Sequence, residues 1–136
     1  MTAIFRLCDE YVIRQADHDP VDAGRRGLAT AFGAATDYSP DGAAAAADLI
    51  AATLAELDGL VPTGDRDRLA AVYLRERLEA QLAWHELGEP LRALRTPIGR
   101  TSAIRDSVDL LPRASDDDWR NIAARLAAIP VMFASW

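Results

Sequence analysis

Apolar residues recur at helical spacing in about five stretches of the chain, and no run alternates with period two for long enough to predict a strand. The longest stretch, Asp65 to Gly88, would span roughly 35 Å at 1.5 Å per residue. At 100° per residue, Leu69, Val72, Tyr73, Ala80, Ala83, Trp84 and Leu87 share one face. Ala71, Leu74, Leu78, Leu82 and His85 fall nearly opposite, with Arg68, Arg75, Glu79 and Glu86 as a narrow polar stripe between them. A surface helix carries one apolar stripe, so two predict a central helix covered on both sides.

The other elements follow from their caps and stripes. Thr2 is placed to cap a helix running to about Asp17, with Ile4, Leu7, Cys8, Tyr11 and Val12 on one face. Residues 18–38 are rich in Gly, Asp and Ala and weakly periodic; Pro20 opens at most one helical turn there, and the rest reads as loop. Ser39-Pro40-Asp41 is a helix start, with a hydroxyl at the cap, proline in the first turn and an acid at the positive end of the dipole. Ala46, Leu49, Ile50, Thr53, Leu54 and Leu57 give that helix its stripe, and Gly59 ends it. Thr63 or Asp65 then caps the long helix, which stops at Gly88-Glu89-Pro90, so the two long helices form an antiparallel hairpin. A further turn is expected around Leu91 to Leu94. Thr101 or Ser102 caps a short helix carrying Ile104, Val108 and Leu111. Ser115 starts the last helix, with Trp119, Ile122, Ala123, Leu126, Ile129 and Phe133 as its stripe and Pro130 as a kink or restart. The fold class is all-α: an antiparallel helical bundle of about five helices, with residues 1–136 as a single helical domain.

Composition narrows the function classes. The chain has 136 residues, enough for one domain with a modest core. Its formal charge of −6 argues against a nucleic-acid partner, which needs a basic face. No apolar run approaches the roughly 20 residues of a membrane span, so no membrane partner is expected. One cysteine excludes an intramolecular disulfide and fits a reducing compartment, and the start lacks the apolar core of a signal peptide; the expectation is a cytoplasmic protein. The last residues, Ile129 to Trp136, are apolar and call for something to pack on: this domain, another chain, or a portion absent from a shortened chain.

Candidate chemistry is sparse. His85-Glu86 begins like a zinc-binding helix, but the residue four positions after His85 is Glu89, and the helix stops at Gly88. His18, Asp19 and Asp22 surround Pro20 with polar groups, the ordinary chemistry of a turn. Cys8 lies on an apolar face, where cysteine serves as a small hydrophobe. Gly24-Arg25-Arg26-Gly27 has the makings of an anion loop but lacks the Lys-Ser/Thr of a phosphate-binding loop, and its role is left open. Glu76 falls within an apolar stripe and needs a partner, for which Arg105 and Arg125 are the candidates. No catalytic, cofactor-binding or metal-ligating residue is assigned.

Read in order, several segments carry a resemblance: Asp9-Glu10-Tyr11-Val12, Asp19-Pro20, Ala29-Thr30-Ala31-Phe32-Gly33 and Thr36-Asp37-Tyr38-Ser39-Pro40-Asp41-Gly42. They continue through Leu74-Arg75-Glu76-Arg77-Leu78-Glu79, His85-Glu86, Gly88-Glu89-Pro90-Leu91, Ile104-Arg105-Asp106, Asp109-Leu110-Leu111-Pro112, Asp118-Trp119 and Ala123 to Pro130. In this order and spacing the chain resembles the N-terminal part of a bacterial family catalogued as domain of unknown function 885. The resemblance implies a largely helical protein several times longer, similar to zinc metallopeptidases. The family's metal signature, His-Glu-Ala-x-Pro-Gly-His-His, has no counterpart here, so zinc is expected only in the full-length family and no catalytic residue is carried over. The chain departs from the family pattern around Gly24 to Gly27. The expected function is that of a non-catalytic helical module, packing on the missing C-terminal portion. The alternative is a free-standing interaction protein that self-associates through its apolar C-terminus; a small enzyme using Glu76, His85 or Cys8 lacks the remaining groups of a site.

Overall fold

In a computed structural model, which describes residues 1–28, 33–92 and 99–136, the chain is all-α. The described elements are α1 (Ala3–His18), α2 (Pro20–Arg25), α3 (Pro40–Asp58), α4 (Asp65–Glu86), a single 3-10 turn (Glu89–Arg92), α5 (Arg100–Asp109) and α6 (Asp116–Ala134). The family segment Ala29 to Phe32 and the second half of the turn expected around Leu91 to Leu94 lie outside the described residues.

Short polar side chains start most of these helices by accepting from otherwise orphaned N–H groups. Thr2 Oγ1 accepts from the Phe5 N–H, Asp19 from Asp22, Ser39 from Gly42 and Ser115 from Asp118. For α4 the cap is Gly64, which has no side chain to offer. Asp67 in the first turn does the work instead: it accepts from the Thr63 N–H at 3.0 Å and the Thr63 hydroxyl at 2.7 Å. The Thr2 hydroxyl donates to the same carboxylate at 2.6 Å, tying the starts of α1 and α4 together. For α5, Ser102 Oγ reaches back to accept from the Gly99 N–H at 2.9 Å.

Two hydrophobic clusters organise the chain. In the first, Ile4, Leu7 and Tyr11 of α1, Ile50 and Leu57 of α3, and Leu74 and Leu78 of α4 are buried together. α3 and α4 pack as a hairpin, and the pairs Thr2 with Asp67 and Tyr11 with Gln81 set α1 parallel to α4. In the second, Val21 of α2, Ile104 of α5 and Met132 of α6 meet. Arg125 of α6 is fully buried beside that cluster, donating to the Pro20 carbonyl at 3.3 Å and to Ser107 Oγ at 3.4 Å, which links α6 to α2 and α5. Burial lowers the Arg125 pKa, but an arginine so far above neutrality stays charged.

Several expectations need correction. α4 is covered on one side only: Leu74 and Leu78 are buried, whereas Leu69, Val72, Tyr73 and Leu87 keep 65–70% of their surface exposed. Helices α1 and α3 both pack on the inner face, and among the described residues nothing packs on the outer one. Glu76 is exposed and pairs with the adjacent Arg77 at 2.9 Å; Arg105 pairs with Asp106, and Arg125 belongs to the α2–α5–α6 junction. In α6 the inward residues are Ile122, Arg125 and Met132, so Trp119, Leu126 and Phe133 face outward. The helix continues through Pro130 to Ala134 without a restart. The C-terminal residues fold back in part: Met132 is in the core, and Ser135 Oγ accepts from the Tyr38 N–H at 3.2 Å. Finally, residues 20–25, expected to give at most one turn, form α2, because Asp19 caps it and Val21 and Ala23 have a core to enter. Among the described residues no helix is long and apolar enough to cross a membrane.

Candidate functional site

A cleft of about 670 Å³ opens between the two clusters, within the size range of small-molecule sites. α1 contributes Tyr11, Gln15 and His18; the segment before α3 contributes Thr36, Asp37 and Tyr38; α3 contributes Ala43, Ala46, Leu49 and Ile50. Gln81, Trp84 and His85 come from the last turns of α4, and Arg100, Arg105 and Asp106 from α5. The lining is therefore partly apolar and aromatic and partly polar.

Close backbone packing fixes the α3 wall. A Cβ added at Gly42 would run into the Asp37 carbonyl oxygen and sit 2.9 Å from the Asp37 carboxyl carbon, so only glycine admits this approach. Gly42 also receives the imidazole of His18, whose Nε2 lies 3.1 Å from the Gly42 carbonyl oxygen. A carbonyl can only accept, so Nε2 carries the proton. Asp37 accepts from the Ser39 N–H at 2.9 Å, and that bond holds its carboxyl below the usual range.

The Tyr11 hydroxyl, also in the lining, donates to Gln81 Oε1 at 2.8 Å and joins α1 to α4. His85 is half-buried; desolvation, reinforced by the nearby His18, lowers its pKa and keeps it neutral at pH 7. Tyr38 is pushed up to about 12, first by burial and then by the charge of Asp19, so its hydroxyl stays protonated. Arg100 stands beside it, with its guanidinium carbon 4.6 Å from the Tyr38 ring centre and 5.3 Å from that of Trp136. It donates to the Pro90 carbonyl, while its Nη1 is shut away from water and has no hydrogen-bond partner among the described residues.

The structure thus brings His18 and His85 to one cleft, although the sequence places them in unrelated segments. Asp19 spends its carboxylate on capping α2 and on the Thr36 hydroxyl at 2.6 Å, as a turn reading requires. Asp22 pairs with Arg26 at 2.6 Å. Gly24 and Arg25 close α2, and Gly27 takes a positive φ of 73°. Cys8 packs against the first cluster, and its pKa is raised, first by burial and then by Asp9, the opposite of an activated thiol. Among the described residues no three His, Cys, Asp or Glu side chains gather as a metal site would require. What the cleft offers is binding: an apolar lining, the neutral imidazole of His85 and a desolvated guanidinium.

Sequence reasoning missed Gly42, Tyr38 and Arg100. Gly42 was visible only as one letter of a motif, and Arg100 gave no signal at all, since its environment is assembled from α5, the 3-10 turn and the end of the chain. The family model described as "Bacterial protein of unknown function (DUF885)" matches residues 20–136. A comparison with curated proteins gives no match.

Proposed function

Because the chain belongs to the DUF885 family of bacterial proteins of unknown function, we propose that it is a non-catalytic docking module whose partner is the metal-binding portion found in zinc-metallopeptidase-like members of that family. The observation that carries this reading is the outer face of α4. Leu69, Tyr73, Ala80, Ala83 and Leu87 lie on it, interrupted by Glu76 and flanked by Val72 and Trp84, and all are exposed. Their spacing alternates between four and three residues, the interval at which one helix seats another. On α6, Trp119, Ala123, Leu126, Pro130 and Phe133 repeat the same interval and are exposed as well. Covering a large apolar side chain gains roughly 1.5–3 kcal/mol, so a partner helix on either seam gains several kcal/mol before the cost of association. Contiguous apolar surface of this kind marks interaction sites. The single thiol and the absence of a long apolar helix among the described residues support a cytoplasmic setting.

The alternative partner is a second copy of the chain. It would use the exposed seam of α6 near the end of the chain, where Trp119, Leu126 and Phe133 stay uncovered. One experiment separates the two. The purified chain is run on a sizing column with light scattering, alone and mixed with a separately produced family segment carrying His-Glu-Ala-x-Pro-Gly-His-His. Docking predicts a one-to-one complex, lost in Tyr73→Glu. A homodimer indifferent to the added segment favours the alternative, and a monomer that ignores the segment refutes both.

A further inference from the structure

Beyond docking, and independent of it, we propose that the cleft between the two clusters binds an uncharged aromatic amide, its carboxamide held by Gln15, Gln81 and His85. Three observations converge on that ligand.

The first is the placement of neutral polar groups. α1 and α4 run parallel, and the Tyr11 hydroxyl donates to Gln81 Oε1 at 2.8 Å. One turn further along each helix stand Gln15 and His85, and all four side chains line the cleft. Residues four apart share a helix face, so the Tyr11 to Gln81 contact brings Gln15 and His85 to one end of the cleft. The influence of His18 on the His85 imidazole shows that the two helices stay close beyond that contact.

The second is hydrogen-bonding capacity left open. Gln81 spends its carbonyl oxygen on Tyr11 and keeps its amide N–H groups. Gln15 and the neutral imidazole of His85 each offer a donor and an acceptor. Among the described residues nothing takes these up, and none of these atoms is shut away from water. A carboxamide carries a carbonyl acceptor and N–H donors side by side, the set that complements them.

The third is the character of the rest of the lining. Arginine and aspartate are equally represented in it. Asp22 is paired with Arg26 and Asp106 with Arg105, while Asp19 is taken up by Thr36 and the start of α2. Such a lining asks for no net charge in its ligand. Ala46, Leu49 and Ile50 add apolar surface. Trp84, partly exposed, meets the His85 ring edge-to-face with 6.2 Å between centres, which leaves aromatic surface for a flat ring.

The test uses benzamide as probe, by titration calorimetry on the whole chain at neutral pH. Benzoate adds a charge, N,N-dimethylbenzamide removes the N–H donors, and cyclohexanecarboxamide removes the aromatic ring. Benzamide is expected to bind roughly fivefold more tightly than each, the effect of one or two net hydrogen bonds or of a ring contact. His85→Leu should lower benzamide affinity to that of N,N-dimethylbenzamide and leave the latter unchanged. Gln15→Leu, at a half-buried position, should narrow the same preference, which keeps the test open if His85→Leu fails to fold. Affinity for any comparator equal to or above that of benzamide, a preference that survives both substitutions, or no binding at millimolar benzamide would each overturn the proposal.

Discussion

Replacing Gly42 with alanine tests whether the cleft wall is built as tightly as its backbone geometry indicates. Two effects compete. In a helix alanine is favoured over glycine by about 1 kcal/mol, so propensity alone predicts stabilisation. Against it, the new methyl group would overlap the Asp37 carbonyl oxygen, a backbone atom that cannot swing aside, and would crowd the Asp37 carboxyl carbon at 2.9 Å. Overpacking of this kind costs about 1–3 kcal/mol. The overlap wins, giving a net loss of up to about 2 kcal/mol, or several degrees in midpoint at roughly 2–8 °C per kcal/mol. Gly24→Ala is the internal control: it is the same chemical change inside α2, where the added Cβ meets nothing within 4 Å, and it should stabilise by about 0.5–1 kcal/mol. Urea and thermal denaturation of both variants give opposite signs if the close approach is real. A Gly42→Ala protein as stable as Gly24→Ala would refute the reasoning.

Three further outcomes follow from the packing and charges. Leu78 is fully buried where α1, α3 and α4 meet, so Leu78→Ala should cost about 2–5 kcal/mol in chemical denaturation; a smaller loss would mean the first cluster is loosely packed. Glu76 is exposed and pairs only with its exposed neighbour Arg77 among the described residues, so Glu76→Ala should leave the midpoint unchanged, and a clear drop would return Glu76 to the core. His85 binds its proton less tightly when folded than its ordinary 6.5, so the unfolded chain protonates first: its stabilising contribution is complete above 6.5 and declines as pH falls through the lowered value. Asp67, held below 3.8 mainly by the Thr2 and Thr63 hydroxyls, contributes stability that is present above 3.8 and lost below it. Denaturation midpoints from pH 8 to 3 should therefore fall in two steps, with His85→Gln removing the first.

The helices were legible because their starts are local chemistry. Ser39-Pro40-Asp41 and Ser115 with Asp118 announce caps that need no tertiary contact, and both caps form. What failed was the question of which face lies inside. The periodicity of α4 gave two apolar faces of similar strength, and only the position of α1 and α3 decides between them. In α6 the buried Arg125 displaced the more apolar stripe, because Pro20 and Ser107 supply it with acceptors in the interior. Glu76 was misjudged for the same reason: a charge inside an apolar stripe signals burial only if that stripe is the packed one. The cleft was the least legible feature. His18, His85 and Arg100 belong to three separate helices, and their common site arises only where the two clusters meet.

The docking reading is tested most directly by hydroxyl-radical footprinting of the chain, free and mixed with a family segment carrying the metal signature. In the free chain the exposed side chains of Tyr73, Trp84 and Trp119 should be oxidised readily. In the complex, protection of Tyr73 and Trp84 together with Leu69 and Leu87 is expected, with protection on α6 wherever the partner reaches its seam. Oxidation rates on the outer face of α4 that stay the same in a demonstrated complex, or the absence of any complex, would contradict the account.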